Sequence, residues 1–400
     1  MGIFGCSWDE ILGGSNPVDA VDWVAIVYIS IFNDPTYHHG TLEERDLVKG
    51  EQDLYDLSEH DLTRILKTNY PEAEARADGY GFTSANSCEE KTVGFTGPLK
   101  ASTLQVALAV LETVGQPQDH QNVVVKNTSV PADSMADAAE RWDMLQDGVS
   151  MLQGAEYQRQ VYELPGGPKY FVNAVDWYFY LPLRVAALLT PRYPTGDLEQ
   201  VLDRTWPDGF YYRNWEAFRD FLVGVQILHD KLGITHRDLK PANPLVKENH
   251  GGYLITDFDF ATTKRTISGQ QHVGSPIYKA PEADLKEKNA VSEKMDVFSV
   301  TQIMLKVLGL CPPESRVKKG NDPAKQVWKA AKRLESPMGT KSAISGILKA
   351  QRDNVPGMNV AHLNEWVQLA SKGLCRPQDR LNINQFIEEF DKTLKVTAGM

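Results

Sequence analysis

Residues 234–243 read ITHRDLKPAN, and thirteen residues after Asn243 the chain continues TDFDF. From His236 to Asn243 a carboxylate, an amine and a carboxamide fall within eight residues, close enough to converge on one centre. Asp238 can accept a proton from an attacking hydroxyl, Lys240 can neutralise charge on a phosphoryl group in transit, and the side-chain oxygen of Asn243 can ligate a metal. A plain polar turn is the competing reading, but a turn has no use for those three functions at that spacing.

The stretch lies in the helical half of a chain whose pattern changes partway along. From 214 onward helices dominate: Asn214 is placed to cap a helix in which Trp215, Phe218, Phe221, Leu222, Val225 and Leu228 share one face. Upstream the pattern is mainly β. The runs TLQVALAVLET and NVVVK flank the turn-like GQPQDH and predict a hairpin, and KYFVNAVDWYFYL and LRVAALL are strand-like. A helical pattern at 134–146 lies between these groups, and PRYPTGD breaks regular structure after them. Residues 1–75 read as a mostly helical extension, because LEERDLVKGEQDLYDLSEHDLTRIL carries Leu and Ile at helical spacing. A β-rich part followed by a helical part is a two-lobe plan, with a small ligand expected in the cleft between lobes.

The bulk properties narrow the partners. A net charge of −11 argues against nucleic acid, whose backbone demands clustered Lys and Arg. The longest apolar run, DWVAIVYISIF at 22–32, is too short for a transmembrane segment and reads as core. Four widely separated cysteines, Cys6, Cys88, Cys311 and Cys375, form neither a zinc pairing nor a disulfide framework, so a reducing, cytoplasmic compartment is expected. MGIFGCS places Gly2 after Met1 but lacks the usual hydroxyl residue, so membrane association through an acylated N-terminus is the lesser alternative.

HRDLKPAN resembles the catalytic loop of eukaryotic-type serine/threonine protein kinases. Further motifs of that family follow in order: Asp257-Phe258-Asp259 stands where the family has DFG, Ala280-Pro281-Glu282 matches its APE, and VGSPIYKAPE resembles its substrate-receiving segment. MDVFSV is similar to the helix whose aspartate, here Asp296, holds the catalytic-loop backbone, and Arg380 is the expected buried partner of Glu282. The resemblance spans roughly 190–390. It implies an α+β, bilobal protein-kinase-like fold: a small β-rich N-lobe at 76–190 and a larger helical C-lobe at 191–395. It implies ATP and Mg2+ as cofactors and a protein substrate, with Asp257 and Asn243 as metal ligands and Asp238 and Lys240 as catalytic groups. Lys240 and Ser275 fit serine/threonine kinases better than tyrosine kinases. Arg237 is of the type that pairs with a phosphorylated activation segment, where Thr262, Thr263, Thr266 and Ser268 lie, although each is also an ordinary loop hydroxyl.

For the N-lobe, the resemblance implies that Lys126 binds the nucleotide phosphates and that Thr190 is the gatekeeper, followed by a hinge from Pro191 to Tyr193. Pro191 has no N–H to offer adenine. Glu140 is the expected acidic partner of Lys126, with Asp143 as a rival. Gly94 and Gly97, or alternatively Gly79 and Gly81, stand in for a glycine-rich loop whose full pattern is missing.

One departure falls within the large lobe's catalytic motifs, where Asp259 replaces glycine and gives up that residue's backbone freedom. Four chemical groups retained against one glycine lost favour an active kinase. The alternative is a pseudokinase, a scaffold that binds nucleotide or a partner; a kinase-fold enzyme acting on a small metabolite is disfavoured by the APE and substrate segments.

Overall fold

The computed structural model describes residues 57–76, 79–100, 105–128, 138–205, 215–248, 251–263, 266–267, 274–284, 289–317, 322–333, 335–355 and 357–397. The apolar run at 22–32, the N-terminal MGIFGCS, the cap at Asn214 and Ser268 lie outside these residues. The chain divides into two compact units, Met1–Glu163 with Val172–Arg192 and Leu164–Phe171 with Tyr193–Met400.

The first unit opens with helix α1 (Glu59–Asn69), started by a capping box in which Ser58 Oγ accepts from the Asp61 amide at 3.2 Å. Strands β1 (Glu74–Arg76), β2 (Gly79–Thr83), β3 (Glu90–Lys100), β4 (Gln105–Thr113) and β5 (Gln116–Asn127) follow, then α2 (Ala138–Glu163), β6 (Asp176–Tyr180) and β7 (Val185–Pro191). The seven strands form one sheet in the order β1-β2-β3-β4-β5-β7-β6, antiparallel throughout.

Alternation along the strands gives the sheet two apolar faces. Val93, Leu111, Val123, Val125 and Leu189 pack on one side with Phe82 and Tyr178. On the other side Ala186 and Leu188 pack against Leu145, Val149 and Leu152 of α2, and that layer continues into Leu62, Ile65 and Leu66 of α1. The β4–β5 hairpin was expected, but its turn is tighter than GQPQDH: Val114 and Gly115 make it, with Gly115 at φ +82°. The polar residues from Gln116 onward are strand, because the tip of this long hairpin stands in solvent and its outer residues need no apolar partner. The helix expected at 134–146 is described from Ala138 and runs on to Glu163. It is longer because Met151, Leu152, Ala155 and Val161 keep it buried well past Gln146. Only Asp176–Tyr180 of KYFVNAVDWYFYL is strand. Phe171 before it is buried and belongs to the second unit, within which it makes a single parallel bridge to Ile255.

The second unit is mainly helical: α3 (Leu198–Thr205), α4 (Trp215–Leu232), α5 (Lys294–Val307), α6 (Pro323–Ala331), α7 (Pro337–Lys349), α8 (Val360–Leu374) and α9 (Ile383–Thr397), with short strand pairs β8 (Leu245–Val246) with β9 (Tyr253–Leu254) and β10 (Thr266–Ile267) with β11 (Asn289–Ala290). The face expected on α4 is buried at Phe218, Phe221, Leu222, Val225 and Leu228. Trp215 stacks on Trp366 of α8 with ring centroids 4.9 Å apart. Helix α5 is buried from Met295 to Val307. No described helix is long and apolar enough to cross a membrane.

Leu62 is fully buried between α1 and α2, so Leu62→Ala should destabilise the protein by about 2–5 kcal/mol through lost transfer energy and a residual cavity. Urea denaturation of the variant against wild type measures this; a change below about 1 kcal/mol would show that α1 is not integral to the core.

Candidate active site

The loop at 234–243 is built around a carboxylate that belongs to another element. Asp296, buried near the start of α5, accepts from the His236 amide at 2.8 Å with Oδ2 and from the Arg237 amide at 2.9 Å with Oδ1. His229, at the end of α4, meets Oδ2 through Nε2 at 2.9 Å. Burial alone would raise the Asp296 carboxyl, but the His229 hydrogen bond and the fields of His229 and His236 outweigh it and hold the group below the ordinary carboxylate range. Charge-assisted bonds of this kind fix Arg237 at φ +69°, a left-handed conformation that is unfavourable for a residue with a Cβ.

The bend at Arg237 presents Asp238, whose side chain is 3% exposed. Its Oδ2 accepts from Lys240 Nζ at 2.6 Å, and its Oδ1 from the Ser275 amide at 2.8 Å and Ser275 Oγ at 3.2 Å. The carboxylate is thus aimed by two partners from different parts of the chain. Asn243 is buried, and its Nδ2 donates to the Asp238 carbonyl at 2.6 Å, which orients the amide and leaves its oxygen as the end chemically able to accept or to ligate. Asp257 lies 4.0 Å from Lys240 Nζ and is partly exposed. The structure therefore brings Asp238, Lys240, Asn243 and Asp257 together within the second unit.

Two residues that sequence reasoning left out of this group complete it. Gly274 has φ +94°, and a Cβ there would lie 2.8 Å from the Arg237 carbonyl, so only glycine lets the substrate segment approach the loop this closely. Ser275 was legible as a marker of substrate class, but not as a ligand of Asp238. Both sit in VGSPIYKAPE, and a glycine directly before the serine was the available signal.

The expected cost of Asp259 takes a different form. The left-handed backbone falls at Asp257, φ +70°, and not at Asp259, so glycine's freedom is not used at that position in this conformation. Phe258 is buried against His236 with ring centroids 4.9 Å apart, and His236 Nε2 meets the Thr256 carbonyl at 3.1 Å.

The segment between these motifs is anchored at both ends. Thr262 and Thr235 exchange backbone hydrogen bonds at 2.9 Å in each direction. At the far end Arg380 donates to both Glu282 oxygens, the Nη2 to Oε2 bond at 3.1 Å, and to the carbonyls of Cys375 and Lys294. The fully buried guanidinium thereby satisfies its donors, the condition under which a buried pair is tolerated.

In the first unit, Lys126 lies half-buried in β5, directly across from Leu188 of β7. Cross-strand partners share a face, so Lys126 stands on the side of the sheet that packs against α2. Glu140 lies in the first turn of α2, its side chain outside the described part, and its rival Asp143 is exposed. Gly94 and Gly97 lie in β3, where register irregularities between Phe95 and Gly97 and between Pro98 and Lys100 precede the chain reversal into β4. Gly79 and Gly81 lie in β2. Thr190 sits near the end of β7 opposite Val124, and Tyr193 begins the second unit, its carbonyl accepting from Gly196.

A family model described as the protein kinase domain matches residues 186–389. The chain belongs to the eukaryotic-type protein kinase family. It is 37% identical over 126 residues to human dual specificity testis-specific protein kinase 2, 35% over 126 residues to dual specificity protein kinase shkD of Dictyostelium discoideum, and 31% over 96 residues to serine/threonine-protein kinase CHK1 of Saccharomyces cerevisiae. These matches cover 30%, 30% and 23% of this chain, and 21%, 16% and 18% of the relatives.

Asp296→Ala should leave the His236 and Arg237 amides and the His229 ring without their buried acceptor, at a cost of about 1–3 kcal/mol for each group left unpaired. Because the native pKa is depressed, this contribution is complete above the unfolded-state pKa of Asp and is lost as pH falls through the native value. The stability gap between wild type and variant, measured by denaturant titration across the acidic range, should therefore narrow on acidification.

Proposed function

We propose that the chain is an ATP- and Mg2+-dependent protein kinase that transfers the γ-phosphate to serine or threonine hydroxyls. The observation that carries this reading is the Asp238 carboxylate, held on both oxygens by Lys240 and Ser275 in the same loop cluster as Asn243 and Asp257. In it, Asp238 takes the proton of the attacking hydroxyl, and Lys240, already beside that carboxylate, meets the developing charge on the transferred group. Asn243 offers an oriented amide oxygen and Asp257 a partly exposed carboxylate, a hard-oxygen donor pair of the kind magnesium takes. When bound, the metal and the triphosphate supply the phosphoryl donor and charge neutralisation.

On this reading the two units are the small and large lobes of the bilobal kinase plan, and residues 1–75 are an extension to the small lobe. Lys126 holds the phosphates, Glu140 pairs with it, Gly94 and Gly97 lead into the phosphate-covering loop, and Thr190 and Tyr193 line the adenine site. Two of the relatives carry dual specificity in their names, but Lys240 and Ser275 favour serine and threonine here. Cys311 and Cys375 are buried free thiols whose pKa burial pushes up to about 12 and about 11, and they fit a reducing, cytoplasmic setting. A second reading, a pseudokinase scaffold, draws on Asp259 and the incomplete glycine pattern.

Transfer of labelled γ-phosphate to a generic protein substrate separates the two. Wild type should transfer, Asp238→Asn should fall by about 10²–10⁴-fold with nucleotide affinity nearly unchanged, and Asp257→Ala should lose metal-dependent transfer. Asp259→Gly should keep or raise the rate, since φ at 259 does not demand glycine. An inactive wild type that gains activity through Asp259→Gly would establish the scaffold reading.

A further inference from the structure

One buried charge touches the segment expected to receive the substrate. Lys306 lies in the last turn of α5, and its side chain is only 1% exposed. Its Nζ donates to both carboxylate oxygens of Glu199 in α3, at 2.9 and 3.0 Å. The same ammonium lies 5.5 Å from the centroid of the Tyr278 ring, within reach of a cation–π contact.

Both partners lead to the Asp238 carboxylate. Helix α3 is seated on the catalytic loop, because the Leu198 and Glu199 amides donate to the carbonyls of Pro244 and Pro241 at 2.9 and 3.0 Å. Pro241 directly follows Lys240. Tyr278 closes a turn that starts at Ser275: the Tyr278 and Lys279 amides donate to the Ser275 carbonyl at 3.0 and 2.9 Å. Ser275 in turn holds Asp238 through its amide and its hydroxyl. Two further bonds grip the turn. Ser299, on the same face of α5 as Lys306, donates to the Tyr278 carbonyl at 2.9 Å, and Trp328 of α6 donates to the Lys279 carbonyl at 3.0 Å.

Stability alone does not account for this arrangement. Taking an ammonium out of water is costly, and a well-packed apolar side chain of similar volume often serves a core as well or better. What an apolar residue would not supply is direction. The ion pair holds one position of α3 against α5, and the Tyr278 ring beside the ammonium draws the turn to the same point. We propose that Lys306 is a positioning residue for the protein substrate, joining α3 to the substrate segment so that Ser275 and the catalytic loop meet in register. The inference rests on the kinase reading above, which supplies the substrate.

The test uses the full chain with Lys306→Met, which keeps the apolar stem and removes the charge. Amide hydrogen exchange at Tyr278 and Lys279 should quicken at least about tenfold, while the buried amides of α4 keep their wild-type rates. In transfer of labelled phosphate, the KM for a generic protein substrate should rise at least about tenfold and the KM for ATP should stay within about twofold. Mere loss of folded enzyme lowers the rate and moves neither KM. Glu199→Gln, made at the partly exposed end of the pair, should shift both readouts in the same direction, and it decides the matter if Lys306→Met does not fold. Added to Lys306→Met it should have no further effect, because the two residues act as one unit. Unchanged exchange at Tyr278 and Lys279, exchange quickened equally in α4, an unmoved protein KM in an active variant, an equal rise in both KM values, or additive effects of the two substitutions would overturn the proposal. A wild type that transfers no phosphate would refute the kinase reading instead, and the exchange rates alone would then decide whether Lys306 holds the segment.

Discussion

The Asp296 carboxylate is the fixed point of the catalytic region. A carboxylate buried on an apolar helix is costly to desolvate unless its lone pairs are filled, and here two loop amides and one imidazole fill them. The reciprocal effect is geometric. With both His236 and Arg237 amides bound to one rigid group on α5, the loop cannot relax out of the left-handed conformation at Arg237, and Asp238 is delivered at a set angle. The depth of α5 makes the device work, since every residue from Met295 to Val307 is buried and the helix cannot shift without disturbing the surrounding core.

From that anchor the substrate segment is registered by contact with the loop and not by its own rigidity. Gly274 lets the two backbones close to a distance that any side chain would prevent, and Ser275 then reaches Asp238 with both its amide and its hydroxyl. The far end of the segment is held independently by Glu282 and Arg380. One end is therefore set by Asp238 and Arg237 of the loop and the other by a buried ion pair. A change at Gly274 meets the Arg237 carbonyl and the Asp238 carboxylate directly, whereas a change at Arg380 reaches them only through the fold.

How much of this was legible depended on whether a residue's role is local. The catalytic loop was readable because its residue types and order carry chemistry that few other arrangements need, whereas the aspartate of TDFDF, Asp296 and the Glu282–Arg380 pair were readable through their resemblance to the kinase motifs. The β-type run NVVVK likewise marked the last part of β5. The missed features depend on approach in three dimensions. Nothing within GQPQDH says that Gly115 makes the turn and that the polar residues continue as strand, and nothing local extends α2 to Glu163; its length is fixed by apolar contacts with α1 and β7. The buried contact between His229 and Asp296 is invisible in sequence for the same reason, because a histidine near a helix end reads as a surface residue until its neighbours are known.

Asp259 shows why a motif departure has to be judged by conformation before chemistry. A glycine is indispensable where the backbone is left-handed or where a Cβ would collide, and Gly274 meets both conditions. Asp259 does not meet the first condition, since the left-handed residue of TDFDF is Asp257. The substitution therefore leaves this arrangement of the catalytic loop intact and changes the charge instead, adding a carboxylate two residues from Asp257 and close in sequence to the residues that pair with Thr235. Any penalty it imposes has to arise when the segment leaves this conformation, where glycine would have access to backbone angles that aspartate lacks, or when cations gather at the site and meet one more negative group. The first would act on an exchange between states and the second on cation affinity, and neither keeps Asp238, Lys240, Asn243 and Asp257 from coming together.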